Sequence, residues 1–233
     1  MFYLADAYVR PFFKTQMKTL RDRADAGRQL AQKLTAYAER SDVLVLGLAR
    51  GGIPVAYEIA KALHVPLDVL IVRKLGVPGH EELAMGAIAS GGIRVLNASV
   101  VENLAIPPAV IDQIAEMETA ELTRRAQAYG GASAPPEIVG KTIILVDDGI
   151  ATGATLRAAI AALRTQNPAR IVVAVGVVPP ETYDELCAEV EEFVSILRPA
   201  PFWGVGLWFD RFSPTSDEEV RTLLARAKRH VKS

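Results

Sequence analysis

Two adjacent carboxylates, Asp147 and Asp148, stand directly before the glycine-rich stretch GIATGAT at residues 149–155. The stretch offers hydroxyl donors from Thr152 and Thr155, and its backbone N–H groups open the following predicted helix, where the helix dipole favours an anion. This pattern predicts a site for a phosphate monoester. Carboxylates only accept hydrogen bonds, so the acid pair suits two ribose hydroxyls and the ligand is expected to be a sugar phosphate. Alternatively, one aspartate caps the turn or the helix.

These residues need a buried strand to position them. The apolar run IILV precedes the acid pair, and open α/β sheets bind ligands beyond the carboxyl ends of their strands. A second apolar run ends in the glycine turn ARGG, and a helix from Pro54 follows it. The alternation of elements predicts an α/β fold with a central parallel five-stranded sheet flanked by helices. The predicted strands are 42–49, 67–72, 141–148, 169–178 and 192–198.

The sequence also predicts two long helices and a loop. Residues 19–39 and 107–128 have helical spacing, and Met117 is expected on the buried side of the second helix. The stretch RKLGVPGHEEL, residues 73–83, predicts a mobile loop that leads into a hairpin.

Composition excludes several classes of protein. The 233 residues include 26 basic and 27 acidic side chains, a net charge of −1, which does not indicate a nucleic-acid surface. No apolar run reaches the roughly 18 residues of a membrane span, and the N-terminus lacks the pattern of a secretory signal, so we expect a cytoplasmic location. The GKT at 140–142 precedes a strand, which excludes a Walker A loop. Neither the three histidines nor the single Cys187 has metal-site spacing.

The motifs together resemble a known family. VDDGIATGAT, residues 146–155, is similar to the signature with which type I phosphoribosyltransferases bind phosphoribosyl pyrophosphate. GLARGGIPVA, residues 47–56, resembles their pyrophosphate loop, and residues 73–92 fall where their flexible loop falls. The agreement covers about residues 40–200 and resembles a group of bacterial proteins known only as phosphoribosyltransferases. It implies the type I phosphoribosyltransferase fold, with a flexible loop or hairpin and a small hood.

The resemblance assigns roles to individual residues. Asp147 and Asp148 would hold the ribose 2- and 3-hydroxyls, and Ala151–Thr155 the 5-phosphate. Arg50 would meet the pyrophosphate in a loop whose Ala49–Arg50 peptide corresponds to a bond that is sometimes cis in relatives. The predicted catalytic residues are Arg50, Lys74, Asp147 and Asp148. The predicted substrate-binding residues are Ala49, Arg50, Gly51, Gly52, Arg73, Lys74, Asp147, Asp148, Gly149, Ile150, Ala151, Thr152, Gly153, Ala154, Thr155, Phe202 and Trp203.

The implied reaction is loss of pyrophosphate from C1 of the ribose and attack by a ring nitrogen of an acceptor. The implied cofactor is Mg²⁺, held by ligand oxygens and waters near Asp147 and Asp148 with no direct protein ligand assigned. Arg73 and Lys74 would close over the pyrophosphate, unless they are solvated loop charges. Ala151 stands where the 6-oxopurine members have an aspartate, so their mechanism is not carried over. The acceptor stays open, as does the role of His80 in the loop.

We expect a single domain over residues 1–233, with a core at about 40–200, a C-terminal helix at 215–231, and hood candidates at 1–18 and 199–212. The hood aromatics would either stack on a heterocycle or cover the core or a subunit interface.

The expected partner is a small-molecule substrate, without membrane or nucleic acid, and a homodimer is common in the resembled family. The alternative function is a non-catalytic regulator that senses phosphoribosyl pyrophosphate or nucleotides. A weaker alternative is a subunit or former fusion partner of a larger metabolic protein. The four hood aromatics are Phe202, Trp203, Trp208 and Phe209.

Overall fold

A parallel sheet of five strands forms the centre of the protein, in the order β2-β1-β6-β7-β8. The structure is a computed structural model that describes residues 18–129 and 137–230. All four neighbouring strand pairs are parallel, which confirms the predicted α/β sheet. The strands of this sheet are β1 Val43–Leu48, β2 Leu67–Leu70, β6 Thr142–Gly149, β7 Arg170–Val177 and β8 Glu192–Leu197.

Helices cover both faces of the sheet, which is why its strands are continuously apolar. Val43 and Val45 belong to one core cluster with residues of α1, α2 and α7. Leu44 and Leu46 point to the other face and share a cluster with residues of α5 and α6. The helices are α1 Arg23–Lys33, α2 Gly52–Leu63, α3 Ala98–Asn103, α4 Pro108–Ala128, α5 Ala154–Arg164, α6 Pro180–Cys187 and α7 Asp217–His230.

A second, antiparallel sheet contains β3 Val72–Val77, β4 His80–Ala89 and β5 Ile93–Leu96. The sequence placed a loop over residues 73–83, and this was wrong in its secondary structure, because most of the stretch lies in the paired strands β3 and β4. The chain reverses at Gly79, whose φ of 78° suits a tight turn. Register shifts on either side of Gly76 give the hairpin an irregular pairing that a strand pattern of period two does not reveal.

Two helix predictions also need correction. The helix expected at 19–39 begins only at Arg23, because Asp22 caps it by accepting a hydrogen bond from the backbone N–H of Asp25 at 2.9 Å. Leu20 lies before the helix and forms an isolated bridge with Phe209. In α4, Met117 is 68% exposed rather than buried, because the buried face runs through Ile111, Ala115 and Leu122.

The C-terminal residues return to the start of the described chain. The backbone N–H of Leu20 donates to the carbonyl of Trp208 at 2.9 Å, and that of Asp210 donates to the carbonyl of Leu20 at 2.8 Å. Ser216 then caps α7 by accepting from the N–H of Glu219. The N-terminal hood candidate at residues 1–18 lies outside the described residues except for Lys18. Over residues 18–129 and 137–230, no helix combines the length and apolar character needed to cross a bilayer.

Candidate active site

The acid pair lies at the carboxyl end of β6, and its two members have different surroundings. Asp148 is buried, and its Oδ2 accepts a hydrogen bond from Arg23 Nε at 2.7 Å. Asp147 is partly exposed, and its Oδ1 accepts from the backbone N–H of Asp148 at 2.8 Å. The pair therefore combines one neutralised carboxylate with one that has no ion pair among the described contacts of the site.

Burial and mutual repulsion disfavour a double negative charge here. Burial raises the pKa of Asp147 well above its usual range, and the negative charge of Asp148 raises it further. Part of Asp147 is open to solvent, but protein atoms surround its carboxyl group closely. Burial is therefore the largest cause of the raised pKa. Burial also raises the pKa of Asp148, while the Arg23 guanidinium opposes this rise. A ligand that donates hydrogen bonds would favour the charged form of both groups.

The turn after β1 presses directly on the acid pair. A Cβ at Gly51 would collide with Asp148 Oδ2, and a Cβ at Gly52 would collide with the carbonyl oxygen of Val146. At Gly52 the obstacle is backbone, so only glycine fits there, whereas at Gly51 it is the end of a side chain. The Ala49–Arg50 peptide in the same turn is cis, at the bond that the resemblance singled out. The Arg50 side chain is 47% exposed and its Nη1 lies 3.6 Å from Asp217 Oδ1.

The predicted phosphate loop leads into α5. Gly153, with φ of 76°, immediately precedes the helix, and Ala151 and Thr152 are exposed beside it. Two side chains brace the loop from outside through its carbonyl groups. Thr182 Oγ1 donates to the carbonyl of Ala151 at 2.9 Å, and Arg157 Nη1 donates to that of Thr152 at 3.0 Å. Because these bonds use carbonyl oxygens, they do not consume the N–H groups that an anion would need.

The hairpin cations occupy β3. Arg73 donates from Nε to the carboxylate of Glu118 on α4, so its side chain is held by an ion pair. Lys74 is the next residue of the same strand, and successive side chains of a strand point to opposite faces. The two cations therefore belong to different faces of the hairpin.

Comparison with known proteins identifies the family to which the chain belongs. The family model for the phosphoribosyl transferase domain matches residues 15–207. The chain belongs to the phosphoribosyl transferase family. The matched range includes β6, the acid pair, the turn at Gly51 and the hairpin, so all the motifs that carried the resemblance lie within it.

Individual relatives of this chain support the same conclusion. "Putative phosphoribosyl transferase Rv0571c" of Mycobacterium tuberculosis is 45% identical over 213 residues, which are 91% of this chain and 48% of the relative. The chain thus spans about half the length of that relative. A "Bifunctional protein PyrR" of Brevibacillus brevis is 31% identical over 119 residues, 49% of this chain and 65% of the relative. The crystal structure of TT1426 from Thermus thermophilus covers 89% of this chain and 98% of its own, at 36% identity and a TM-score of 0.82.

The hood segment, which we define as residues 199–212, contains both buried and exposed aromatic residues. Trp208 and Phe209 are 5% and 2% exposed and belong to the core. Trp203 is 55% exposed, and Phe202 is half-buried. For Trp208 and Phe209, the interpretation as core cover fits the structure. Phe202 also packs against the core, so Trp203 is the most exposed of these four aromatic side chains. A site role for Phe202 and Trp203 stays a prediction.

Two residues at the site could not be found from the sequence. Arg23 begins a helix about 125 positions before the acid pair, without a motif around it, yet its guanidinium contacts Asp148. No spacing rule predicts such a contact, because it depends on how α1 packs beside β6 in three dimensions. Arg157 is a second such residue, since its partner carbonyl lies at the phosphate loop.

A cavity of about 1280 Å³ lies away from this site, between the hairpin, α4 and α7. None of the predicted substrate-binding residues lines it. Its charged lining residues comprise three basic and three acidic side chains. They are Arg94, Arg221, Lys228, Asp68, Asp112 and Glu116.

Proposed function

We propose that this chain binds phosphoribosyl pyrophosphate at the edge formed by the acid pair and the loop 149–155, and transfers its phosphoribosyl group to a nitrogen acceptor of the nucleobase type. The observation that carries the proposal is the contact of two loops at one sheet edge. The turn at Gly51 packs against the carboxylate of Asp148, and α5 begins directly beyond the same acid pair. One ligand with a diol, a phosphate and a pyrophosphate matches these neighbouring groups.

Each part of the edge has a chemical role in this proposal. The carboxylates of Asp147 and Asp148 accept hydrogen bonds from the ribose hydroxyls. The N–H groups at the start of α5 and the hydroxyls of Thr152 and Thr155 donate to the 5-phosphate. The half-exposed Arg50 faces the pyrophosphate. The C1–O bond to pyrophosphate breaks, the C1–N bond to the acceptor forms, and the acceptor nitrogen loses its proton to solvent or to a side chain.

The residues present fit a Mg²⁺ ion that is held mainly by the ligand. Within the described ranges, no group of three or more His, Cys, Asp or Glu could hold a metal ion. Mg²⁺ commonly uses one or two carboxylates together with substrate phosphates and waters. Asp147, whose carboxylate is partly exposed, would hold the ion through water. An ion held there would supply positive charge to offset that of the pyrophosphate.

Calorimetric titration with phosphoribosyl pyrophosphate, with and without Mg²⁺, tests the binding part. We expect Mg²⁺-dependent binding that Asp147→Asn with Asp148→Asn weakens at least about 100-fold, because two hydrogen bonds to charged groups are lost. The matched control is Glu218→Gln with Glu219→Gln, an adjacent exposed acid pair on α7. Undiminished binding by the aspartate double variant would refute the site.

A panel of nucleobases tests the transfer. The protein should release pyrophosphate with at least one heterocycle when Mg²⁺ and the donor are present. Firm donor binding without release for any member of the panel would favour the non-catalytic sensor instead. The cytoplasmic location and the homodimer stay predictions, which cell fractionation and sedimentation would test.

A further inference from the structure

Arg23 lies between the acid pair and the hood segment, two parts of the site that are far apart in the sequence. Its guanidinium makes three contacts, each with a different group. Nε donates to Asp148 Oδ2 at 2.7 Å, and Nη1 donates to the backbone carbonyl of Ser213 at 2.6 Å. The guanidinium carbon also lies 3.9 Å from the centroid of the Phe212 ring. One side chain therefore joins the acid pair to the end of the hood segment.

The surroundings make this contact rigid. The side chains of Arg23 and Asp148 are only 13% and 12% exposed, so solvent screens their attraction weakly. Phe212 in turn stacks on Phe209, with 5.0 Å between the ring centroids, and Phe209 is part of the core. An arginine keeps its charge and presents its donors in a fixed plane, so a movement of the Asp148 carboxylate changes the position of the ring and the carbonyl as well.

The start of α1 and the hood segment also form one backbone unit. Residues 20 and 21 exchange backbone hydrogen bonds with residues 208, 210 and 211. Arg211 Nη2 donates to Asp22 Oδ2 at 2.6 Å, beside the first residue of the helix. Arg23 is the residue through which this unit reaches Asp148. The contact uses Oδ2 of Asp148, and a carboxylate can accept further hydrogen bonds at its other oxygen.

We propose that Arg23 is a positioning residue that couples the donor-binding acid pair to the hood segment, so that occupancy of the donor site alters the aromatic surface offered to the acceptor. The proposal rests on the proposed function for the identity of the donor. It assigns Arg23 no contact with the reacting atoms. Its effect on the acceptor acts through Phe212 and Ser213.

The chain carries its own reporter of the hood segment. It contains two tryptophans, Trp203 and Trp208, and both lie in that segment. Intrinsic tryptophan fluorescence therefore reports the hood, while calorimetry reports donor binding independently. In the unchanged protein, Mg²⁺ with phosphoribosyl pyrophosphate should change the fluorescence in a saturable way, with the same Kd that calorimetry gives.

Three variants separate coupling from binding. Arg23→Gln should weaken donor binding about tenfold, as for loss of one charged hydrogen bond, and abolish the fluorescence response. Phe212→Leu leaves the ion pair in place, so donor affinity should stay within about threefold of the unchanged protein while the response is lost. Arg28→Gln removes an exposed arginine of the same helix, which contacts Glu58 at 3.7 Å, and should change neither measurement. A fluorescence response that is retained in either Arg23→Gln or Phe212→Leu would overturn the proposal.

A ligand-free experiment separates this proposal from the proposed function. The effects of Asp148→Asn and Phe212→Leu on urea unfolding should be non-additive, and they should become additive in an Arg23→Gln background. Additivity of the two substitutions in the presence of Arg23 would overturn the coupling. If the unchanged protein bound no phosphoribosyl pyrophosphate but showed this non-additivity, the donor assignment would fail and the structural coupling would stand.

Discussion

The phosphate loop and the hood segment meet at the same edge of the sheet but are built in opposite ways. The loop at 149–155 follows its strand without interruption, and its exposed members offer mainly backbone groups and small hydroxyls. The hood segment instead contributes large side chains, of which Trp208 and Phe209 are buried in the core. Under the proposed function, the loop would bind the donor mainly through its backbone, whereas the hood would meet the acceptor through side chains. The difference explains why the donor is easier to infer than the acceptor.

The largest expected effect separates the two kinds of hood aromatic. Trp208→Ala should lower the free energy of unfolding by about 3–5 kcal/mol, because it empties a core position. Trp203→Ala should change it by less than about 0.5 kcal/mol, because this side chain is mostly exposed. Urea denaturation measures both. If Trp203 meets the acceptor, its variant should instead raise the KM for the acceptor. Equal destabilisation by the two substitutions would contradict the division of the hood.

The next effect tests the contact between the turn and the acid pair. Gly52→Ala places a Cβ against backbone atoms of Val146 and should cost about 1–3 kcal/mol of stability. Gly51→Ala meets the end of the Asp148 side chain, which can move, so we expect a smaller loss of stability with a larger loss of donor affinity. Denaturation and calorimetry on the two variants should therefore rank them in opposite orders. If the same variant lost more stability and more donor affinity, the two glycines would not have the separate roles expected here.

A third prediction concerns the charge at Asp147. The folded protein holds a proton on Asp147 more tightly than the unfolded chain does. The free energy of unfolding should therefore fall as the pH rises from 3.8, the ordinary pKa of an aspartate, through the raised pKa. Asp147→Asn should flatten that fall and stabilise the protein at neutral pH, while its side-chain oxygen still accepts from the N–H of Asp148. Asp184→Asn, an exposed change on α6, is the control. A pH profile that Asp147→Asn leaves unchanged would contradict the raised pKa of Asp147.

The smallest expected effect lies in the hairpin. Glu118→Gln breaks the ion pair with Arg73 and should change stability by less than about 1 kcal/mol, because both side chains are partly exposed. If Arg73 serves the pyrophosphate, Arg73→Gln should raise the KM for the donor and Glu118→Gln should not. Arg94→Gln is the matched control, since it breaks an ion pair between the neighbouring strand β5 and α4, in which Arg94 Nη1 lies 2.8 Å from Asp112 Oδ1. An equal rise of KM in Arg73→Gln and Arg94→Gln would assign Arg73 a structural role only.

Several features of the site could be predicted because they are local. The strand before Asp147, the glycine before α5 and the turn at Gly51 each depend on neighbouring residues, and the structure places all of them at one sheet edge. The hairpin was harder. Its strand β3 contains Gly76 and ends before Pro78 and Gly79, so turn residues concealed a paired strand. Met117 was assigned to the wrong face of α4 because helical spacing alone does not show where α4 meets the hairpin.

The sequence by itself determined the alternation of strands and helices, the place of the acid pair at the end of β6, and the backbone that opens α5. These follow from periodicity, glycine and the order of residues, which act over a few positions of the chain. Only the tertiary structure decided that Arg23 neutralises Asp148, that Phe212 covers its guanidinium, and that Trp208 is buried while Trp203 is exposed. Such contacts join segments about 125 to 190 residues apart, so they depend on how helices and loops pack across the sheet and leave no pattern in either segment alone.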